Sequence, residues 1–279
     1  MAVLNSNLQA AWTPEDYGNL IDTVVAEVSV AFRAGTIVST GSETFRVPLY
    51  TADPTAAWYA EHSTIALTDP TTNELVITPK KVADRTQIST EAAEDSNPDV
   101  ANMVATGLAR SIAKKIDAAF LGNTVTNGPS GLLSLVGINE IDTDTYPFTN
   151  LDAFHHAKAD ALADGAKVSV WLVAPDVALA LSTTKELTTG SNKGLLDANG
   201  VADGTLLAGV PVIVSPDVTA GTVWGIDSSQ VVVVQRTGTT LKRSFDAAFA
   251  EDAVQVRATA RISWGFANPA GVVRIYDTA

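Results

Sequence analysis

At 279 residues the chain is long enough for one or two domains, and its 46% hydrophobic content supplies a sizeable core. The absence of cysteine excludes disulfides and thiolate metal sites; no apolar run approaches the roughly 18 residues of a membrane span, and Met1 to Asn7 lacks the pattern of a signal peptide. The net charge of −13 and the pI near 4.5 argue against generic nucleic-acid binding, because that affinity comes from neutralising phosphates with Lys and Arg.

The start reads as a short arm followed by a helix. Thr13-Pro14-Glu15-Asp16 places a capping Thr, a Pro at the first helical position and acids at the positive end of the dipole. Tyr17, Leu20, Ile21, Val24 and Val28 then recur at helical spacing, and Gly35 is the expected stop. Thr36 to Tyr50 is β-like, with a glycine turn at Gly41. Thr51 to Pro79 contains Pro54, Pro70 and Pro79. It reads as a long two-stranded excursion around the turn Asp69-Pro70-Thr71, with Glu74 to Thr78 its clearest strand. Such a hairpin is marginal alone in water and needs a neighbour to lie on.

Val82 to Thr90 is a predicted strand. Asn97-Pro98-Asp99 opens a second helix whose apolar stripe runs Val100, Met103, Val104, Gly107, Leu108, Ile112, Ile116, Ala119 and Phe120. Arg110, Lys114 and Asp117 fall off that stripe, and Gly122 ends the helix. Pro98 to Leu121 spans roughly 36 Å at ~1.5 Å per residue. From Asn127 to Gly225 the pattern is α/β-like. Leu151 to Leu162 is a helix, Val168 to Val173 a buried strand, Pro175 to Leu181 a short helix and Val210 to Val214 a strand, with a glycine- and asparagine-rich loop from Thr188 to Gly204. The end is β, over Val231 to Val234, Thr239 to Arg243, Val254 to Trp264 and Val272 to Tyr276.

Charge is unevenly spread. Residues 1–79 hold two basic side chains, Arg33 and Arg46. Others follow at Lys80, Lys81 and Arg85, in the helix at Arg110, Lys114 and Lys115, and late in the chain at Arg236, Lys242, Arg243, Arg257, Arg261 and Arg274. That asymmetry suits charge-complementary contacts between copies. Glu61 and Asp69 in the excursion and Lys80 and Lys81 at its base can pair within one chain or between neighbours.

No motif carries chemistry. His155 and His156 are adjacent and point about 100° apart on a helix, so they cannot share a metal face; His62 stands alone. Gly128-Pro129-Ser130-Gly131 lacks the spacing of a nucleophile elbow and reads as a turn. Gly190-Ser191-Asn192-Lys193-Gly194 lacks the phosphate-loop spacing. Asp197-Ala198-Asn199-Gly200 with Asp203 has its glycine misplaced for a calcium loop and Ala208 where the bidentate Glu belongs, leaving at most a loose ion site. Glu91, Glu94 and Asp95 sit ahead of a helix N-terminus, where negative charge is favourable. No enzyme activity and no cofactor or metal is expected.

The order of segments resembles the tailed-phage major capsid protein family, of the Hong Kong 97-type fold. Trp58 with Glu61 and Thr78-Pro79-Lys80-Lys81 resemble the family's extended loop and its base. Gln87 to Glu91 with Asp95 resembles the strand-to-helix junction, and Asn97 to Leu121 the spine helix. Ile116 to Gly122 and Gly128 to Leu133 resemble the helix end and exit. Leu207-Ala208-Gly209-Val210-Pro211-Val212 is similar to the axial-domain strand, and the run with Phe249, Asp252, Arg257, Arg261 and Asn268-Pro269-Ala270 to the peripheral-domain return.

The resemblance implies an α+β Hong Kong 97-type capsid fold: an N-terminal arm and helix (1–35), an extended loop and its base (36–84), a peripheral domain (85–126 and 226–279) and an axial domain (127–225). It implies a major capsid protein that assembles through hexamers and pentamers into an icosahedral shell around double-stranded DNA. Trp58, Glu61, Asp69, Lys80, Lys81 and Arg85 are the candidate inter-subunit contacts. A scaffolding protein, separate or removed, a portal and a decoration protein are expected partners, with assembly in the host bacterial cytoplasm and no membrane. Some relatives join subunits by a lysine–asparagine isopeptide bond from the loop. Arg46 to Pro79 contains no lysine, so no such cross-link is expected. An encapsulin-type nanocompartment shell, enclosing cargo enzymes, is the rival reading.

Overall fold

Two long C-terminal strands organise the structure, a computed structural model that describes residues 25, 29–52, 54–89, 99–144, 148–186, 193–196 and 200–276. They are β10 (Val231–Ala248) and β11 (Ala253–Phe266), paired antiparallel. Val231 to Val234 and Thr239 to Arg243, read separately from the sequence, form one strand. The irregularity between them is absorbed by register shifts at Gln235/Thr237 and Thr237/Thr240, which bend the strand without ending it. β1 (Thr36–Ser39) adds parallel to β10, and β4 (Lys80–Ser89) adds antiparallel to β11. The result is a four-stranded sheet of order β1-β10-β11-β4.

A second sheet has six strands. β5 (Asn139–Asp142), β12 (Val273–Tyr276), β9 (Thr222–Ile226), β6 (Val170–Val173), β8 (Val210–Val214) and β7 (Leu206–Leu207) lie in that order. The terminal strand therefore pairs with strands from the middle of the chain, not with the four-stranded sheet, and the division expected at residue 226 is crossed there. Arg274 helps fix this placement. Its guanidinium lies 4.4 Å from the Tyr276 ring centre and 5.7 Å from that of Trp224, and pairs with Glu140 at 3.4 Å. Glu140 and Trp224 are its register partners on the two flanking strands.

The helix over α2 (Asp99–Leu121) follows the predicted stripe. Leu108, Ile112, Ile116, Ala119 and Phe120 are buried, and the helix packs on β4 and β11. Gly107 is exposed, because the buried stripe is narrower than the apolar pattern suggested. Val100 and Met103 have side chains outside the described set. Phe120 meets Trp264 edge-to-face with ring centres 5.4 Å apart, which ties the helix end to the end of β11. The predicted helices in the α/β region appear as α3 (Asp152–Ala163) and α4 (Pro175–Thr183). The opening at Thr13 to Asp16, the acids Glu91, Glu94 and Asp95, and Asn97-Pro98 lie outside the described residues. Val25, the helical α1 (Val30–Ala34) and its N-terminal neighbour Ser29 are described, and Gly35 ends α1 as expected.

The six-stranded sheet leaves no room beside its largest side chain. Trp171 is fully buried, donates its indole N–H to the Leu207 carbonyl at 3.1 Å and packs edge-to-face on Phe154 at 5.2 Å. Gly225 is its cross-strand partner, and a Cβ there would run into the Trp171 ring. Gly225→Ala should therefore destabilise the protein by about 1–3 kcal/mol through overpacking. A denaturant midpoint unchanged from wild type would contradict this.

Candidate functional site

The excursion is built on β2 (Phe45–Ala52) and β3 (Thr71–Ile77), an antiparallel pair outside both larger sheets. Thr36 to Tyr50 is thus two strands that belong to different sheets. Gly41 lies in the bend between them. The chain does not reverse at Asp69-Pro70-Thr71. Instead residues 54–70 form an irregular tip with no strand, bracketed by Pro54 and Pro70, neither of which can donate to a ladder. The base of the excursion is anchored: Ile77 is 2% exposed, and Ile77 and Leu75 lie so close to Gly265 of β11 that a Cβ there would come within 2.7–2.9 Å of their carbons. Along the strands Arg46 pairs with Glu74 at 3.0 Å, an exposed bridge worth about 0–1 kcal/mol.

Nothing among the described residues covers the tip. Trp58 is fully exposed, Ile65 and Leu67 are 74% and 91% exposed, and Glu61 and Asp69 are exposed too. Its internal order rests on bonds such as Ser63 to the Ala60 carbonyl and the Ala66 N–H to the Tyr59 hydroxyl at 3.1 Å. Among the described residues no ion pair joins Glu61 or Asp69 to Lys80 or Lys81.

Lys80, Lys81 and Arg85 lie on β4, an edge strand, and all three are exposed. Lys81 and Arg85 are four residues apart on a strand and so share a face. The register sets Arg261 opposite Lys81 and Arg257 opposite Arg85, and on the next strand Lys242 opposite Arg257. Sequence reading singled out each cation but not their juxtaposition. The spacing of Arg257 and Arg261, again four, is the signal that puts them on one face of β11; only the register brings the two strands' pairs together.

The other side of this sheet holds a polar contact that sequence reading missed. Asp117, which falls off the apolar stripe of α2, is 3% exposed. Its Oδ1 accepts the Ser29 hydroxyl at 2.6 Å and the Ala31 N–H at 3.2 Å, and its carboxylate also accepts the Val30 N–H. It thereby caps α1, whose own Ser29 makes no side-chain cap. Burial raises its pKa above the usual carboxylate value; the three hydrogen bonds pull it back in part, and Asp217 adds a further upward push. Beyond the cap, Arg33 clasps Asp203 through two bonds of 2.8–2.9 Å. Asp203 is thus committed to an ion pair rather than to the loose ion site considered above; Asp197 and Asn199 lie outside the described residues.

The glycine-rich exit after α2 also has a structural explanation. Gly131 presses on the last carbonyls of the helix, the Leu133 N–H bonds the Gly122 carbonyl at 3.1 Å, and the Ser130 carbonyl accepts the Trp264 indole N–H at 2.7 Å. His62, His155 and His156 are exposed, and among the described residues no group of three His, Asp or Glu side chains could hold a metal ion. No helix among them is long and apolar enough to cross a membrane.

Solved structures similar to this one include chains from phages and the capsid of a GTA particle. The chain of Microbacterium phage Oxtober96 is 17% identical with a TM-score of 0.75, covering 89% of this chain and 91% of its own. That of Mycobacterium phage Bobi is 17% identical with a TM-score of 0.71, covering 90% and 91%. The capsid of a native GTA particle, computed with C5 symmetry, is 17% identical with a TM-score of 0.70, covering 92% and 91%. No match is found among curated proteins. The α+β architecture expected from the resemblance is the one these structures share. The sequence model described as "Phage capsid family" matches residues 10–276. With that match over nearly its whole length, the chain belongs to the phage capsid family.

Proposed function

We propose that the chain is the major capsid protein of a tailed bacteriophage, a structural subunit that self-assembles through hexamers and pentamers into an icosahedral shell around double-stranded DNA. The observation that carries this is the family match over residues 10–276, together with a loop tip that nothing among the described residues covers. The phage structures favour this reading over a nanocompartment enclosing enzymes. Host-cytoplasm assembly and scaffolding, portal and decoration partners belong to the same proposal.

The two sheets suggest how the chain divides. The four-stranded sheet with α2 is the peripheral unit, the six-stranded sheet the axial unit, and β2–β3 the extended loop, with Trp58, Glu61, Asp69, Lys80, Lys81 and Arg85 at contacts between subunits. In this scheme Val273–Tyr276 belongs to the axial unit. Weak contacts of about 0–1 kcal/mol each become decisive when symmetry repeats them around a closed shell.

Electron microscopy of the protein expressed with its neighbouring genes tests the reading. Closed icosahedral shells are expected; discrete monomers at high concentration would overturn it. Mature shells boiled in detergent should run as a single band, because Arg46 to Pro79 holds no lysine to form a cross-link. A covalent ladder would refute that prediction.

A further inference from the structure

Five of the chain's 18 Lys and Arg residues meet on one exposed face of the four-stranded sheet. Arg85, Arg257 and Lys242 lie in register across β4, β11 and β10 and form one cationic row. Lys81 and Arg261 form a second, four residues along the strands and so roughly 13 Å away at ~3.3 Å per residue. Between the rows runs a neutral strip of Ala83, Thr259 and Thr240. Like charges directly opposed across strands are destabilising. Among the described residues none of the five cations forms an ion pair, and Arg85 bonds only the neutral side chain of Gln255, at 3.5 Å. A chain of net charge −13 thus holds five cations side by side with no carboxylate at these positions, an arrangement that a bound anion would stabilise.

The neutral strip floors a pocket of about 300 Å³ bordered by Lys81, Arg257 and Arg261. Guanidinium forks match phosphate oxygens two at a time, and the lysine adds a point charge. The floor is polar as well. The Thr240 hydroxyl lies 2.8 Å from that of Thr259 and donates to the Thr259 carbonyl at 3.3 Å. With Thr240 as the donor to both, the Thr259 hydroxyl hydrogen is left to donate to an anion above it. No aromatic side chain is among the described residues that line the pocket, so it offers nothing on which a base could stack.

We propose that this face binds an oligophosphate anion, two or more linked phosphate groups lying over the strip of Ala83, Thr259 and Thr240 between the two cationic rows. The site belongs to the single chain before assembly and does not depend on the shell reading. One phosphate bonds one row; linked phosphates span both and relieve the opposed cations on each side. A long polyanion is the poorer fit, because the cations are confined to two short rows and the rest of an acidic chain repels it. Binding rests on exposed charges and therefore weakens with added salt.

Isothermal titration calorimetry of the purified, unassembled full chain with sodium tripolyphosphate, at low salt and without magnesium, tests the site. One tripolyphosphate per chain is expected, with pyrophosphate weaker and orthophosphate weaker again. Arg257→Gln with Arg261→Gln should weaken tripolyphosphate binding at least about tenfold, equivalent to about 1.4 kcal/mol. Lys80→Gln with Lys115→Gln removes the same charge away from the pocket, since Lys80 alternates to the other side of β4 and Lys115 is on α2. That variant should bind within about twofold of wild type. Equal losses in the two double variants would reduce the effect to net charge and overturn the site, as would undiminished binding by the arginine variant. Without ligand the arginine variant should melt at or above the wild-type temperature, because it sheds opposed like charges. A lower midpoint would deny the repulsion on which the site rests. ATP binding no tighter than tripolyphosphate assigns the site to free oligophosphate, and tighter binding to the phosphate tail of a nucleotide; either result upholds it. If tripolyphosphate does not bind and the arginine changes abolish retention on double-stranded DNA, the face serves nucleic acid and the proposal fails.

Discussion

Gly131→Ala should cost about 3 kcal/mol, the upper end of the range for overpacking. The new Cβ would collide with the carbonyl oxygens of Ala119 and Gly122 and lie 2.6 Å from that of Phe120. All three obstacles are backbone atoms at the end of α2, so none can swing aside as a side chain could. Moving Gly131 away would also break the Trp264-to-Ser130 bond and loosen the Phe120–Trp264 contact, which join the helix to β11. Gly128→Ala in the same turn is the control. The atoms nearest its Cβ would be Val125 side-chain carbons at 3.1–3.2 Å and the Val125 carbonyl oxygen at an ordinary 3.6 Å, and a small effect is expected. Urea midpoints of the two variants measure the difference. Equal midpoints would show that the exit does not depend on close backbone approach.

Asp117→Leu should cost a comparable amount, about 3–5 kcal/mol, because it leaves the Ser29 hydroxyl and the Val30 and Ala31 N–H groups buried without an acceptor, at ~1–3 kcal/mol each. The damage should be local first. Segment 25–34 loses its attachment to α2, and trypsin should cut at Arg33 in the folded variant faster than in wild type. Asp117→Asn keeps an acceptor oxygen and removes the buried charge, so its stability should lie within about 1 kcal/mol of wild type at neutral pH.

The sign of the pH dependence follows from the same burial. Desolvation raises the Asp117 pKa in the folded chain above 3.8, so the native state holds this proton more tightly than the unfolded state does. Its contribution is fully present below pH 3.8 and is lost as pH rises through the folded pKa. The Asn variant, which has no such proton, should therefore gain on wild type as pH rises through that window. A difference that stays flat from pH 4 to pH 8 would contradict the assignment. Asp227 runs the opposite way. Burial pushes its pKa up, but bonds from Ser229 and the Lys167 N–H, with the Lys167 charge, outweigh this and lower it. Its contribution is present above pH 3.8 and is lost as pH falls through the folded value.

Much of the fold was legible because it depends on local periodicity. The stripe from Leu108 to Phe120 marked α2, the apolar runs marked β6, β8 and β10, and alternation with glycine and proline marked the strand-rich ends. Less was legible where an element is short or where its partners are distant in sequence. β5 (Asn139–Asp142), with Ile141 its one apolar residue, and β9 (Thr222–Ile226), interrupted by Gly225, lack the apolar runs of β6 and β8 and went unread. Asp117 looked like a surface residue because helical spacing marks faces relative to one another and does not say that two faces are covered. The second cover, α1, arrives from 86 positions earlier in the chain.

The candidate contacts divide in the same way. Composition and spacing were enough to identify the lysine-free excursion and the late clustering of Lys and Arg, and the order of the motifs carried the resemblance to capsid proteins. They also set the absence of any disulfide. Only the tertiary structure decided that Lys81 faces Arg261, that Arg85 and Lys242 flank Arg257, and that the last strand joins the six-stranded sheet. Those outcomes are matters of register between strands far apart in sequence. A strand's own sequence specifies which residues share a face, but a shift of one residue against its partner would send the cations to opposite sides. Packing of Val254, Val256, Ala258 and Ala260, buried on the opposite face of β11, selects the one register that places all five together.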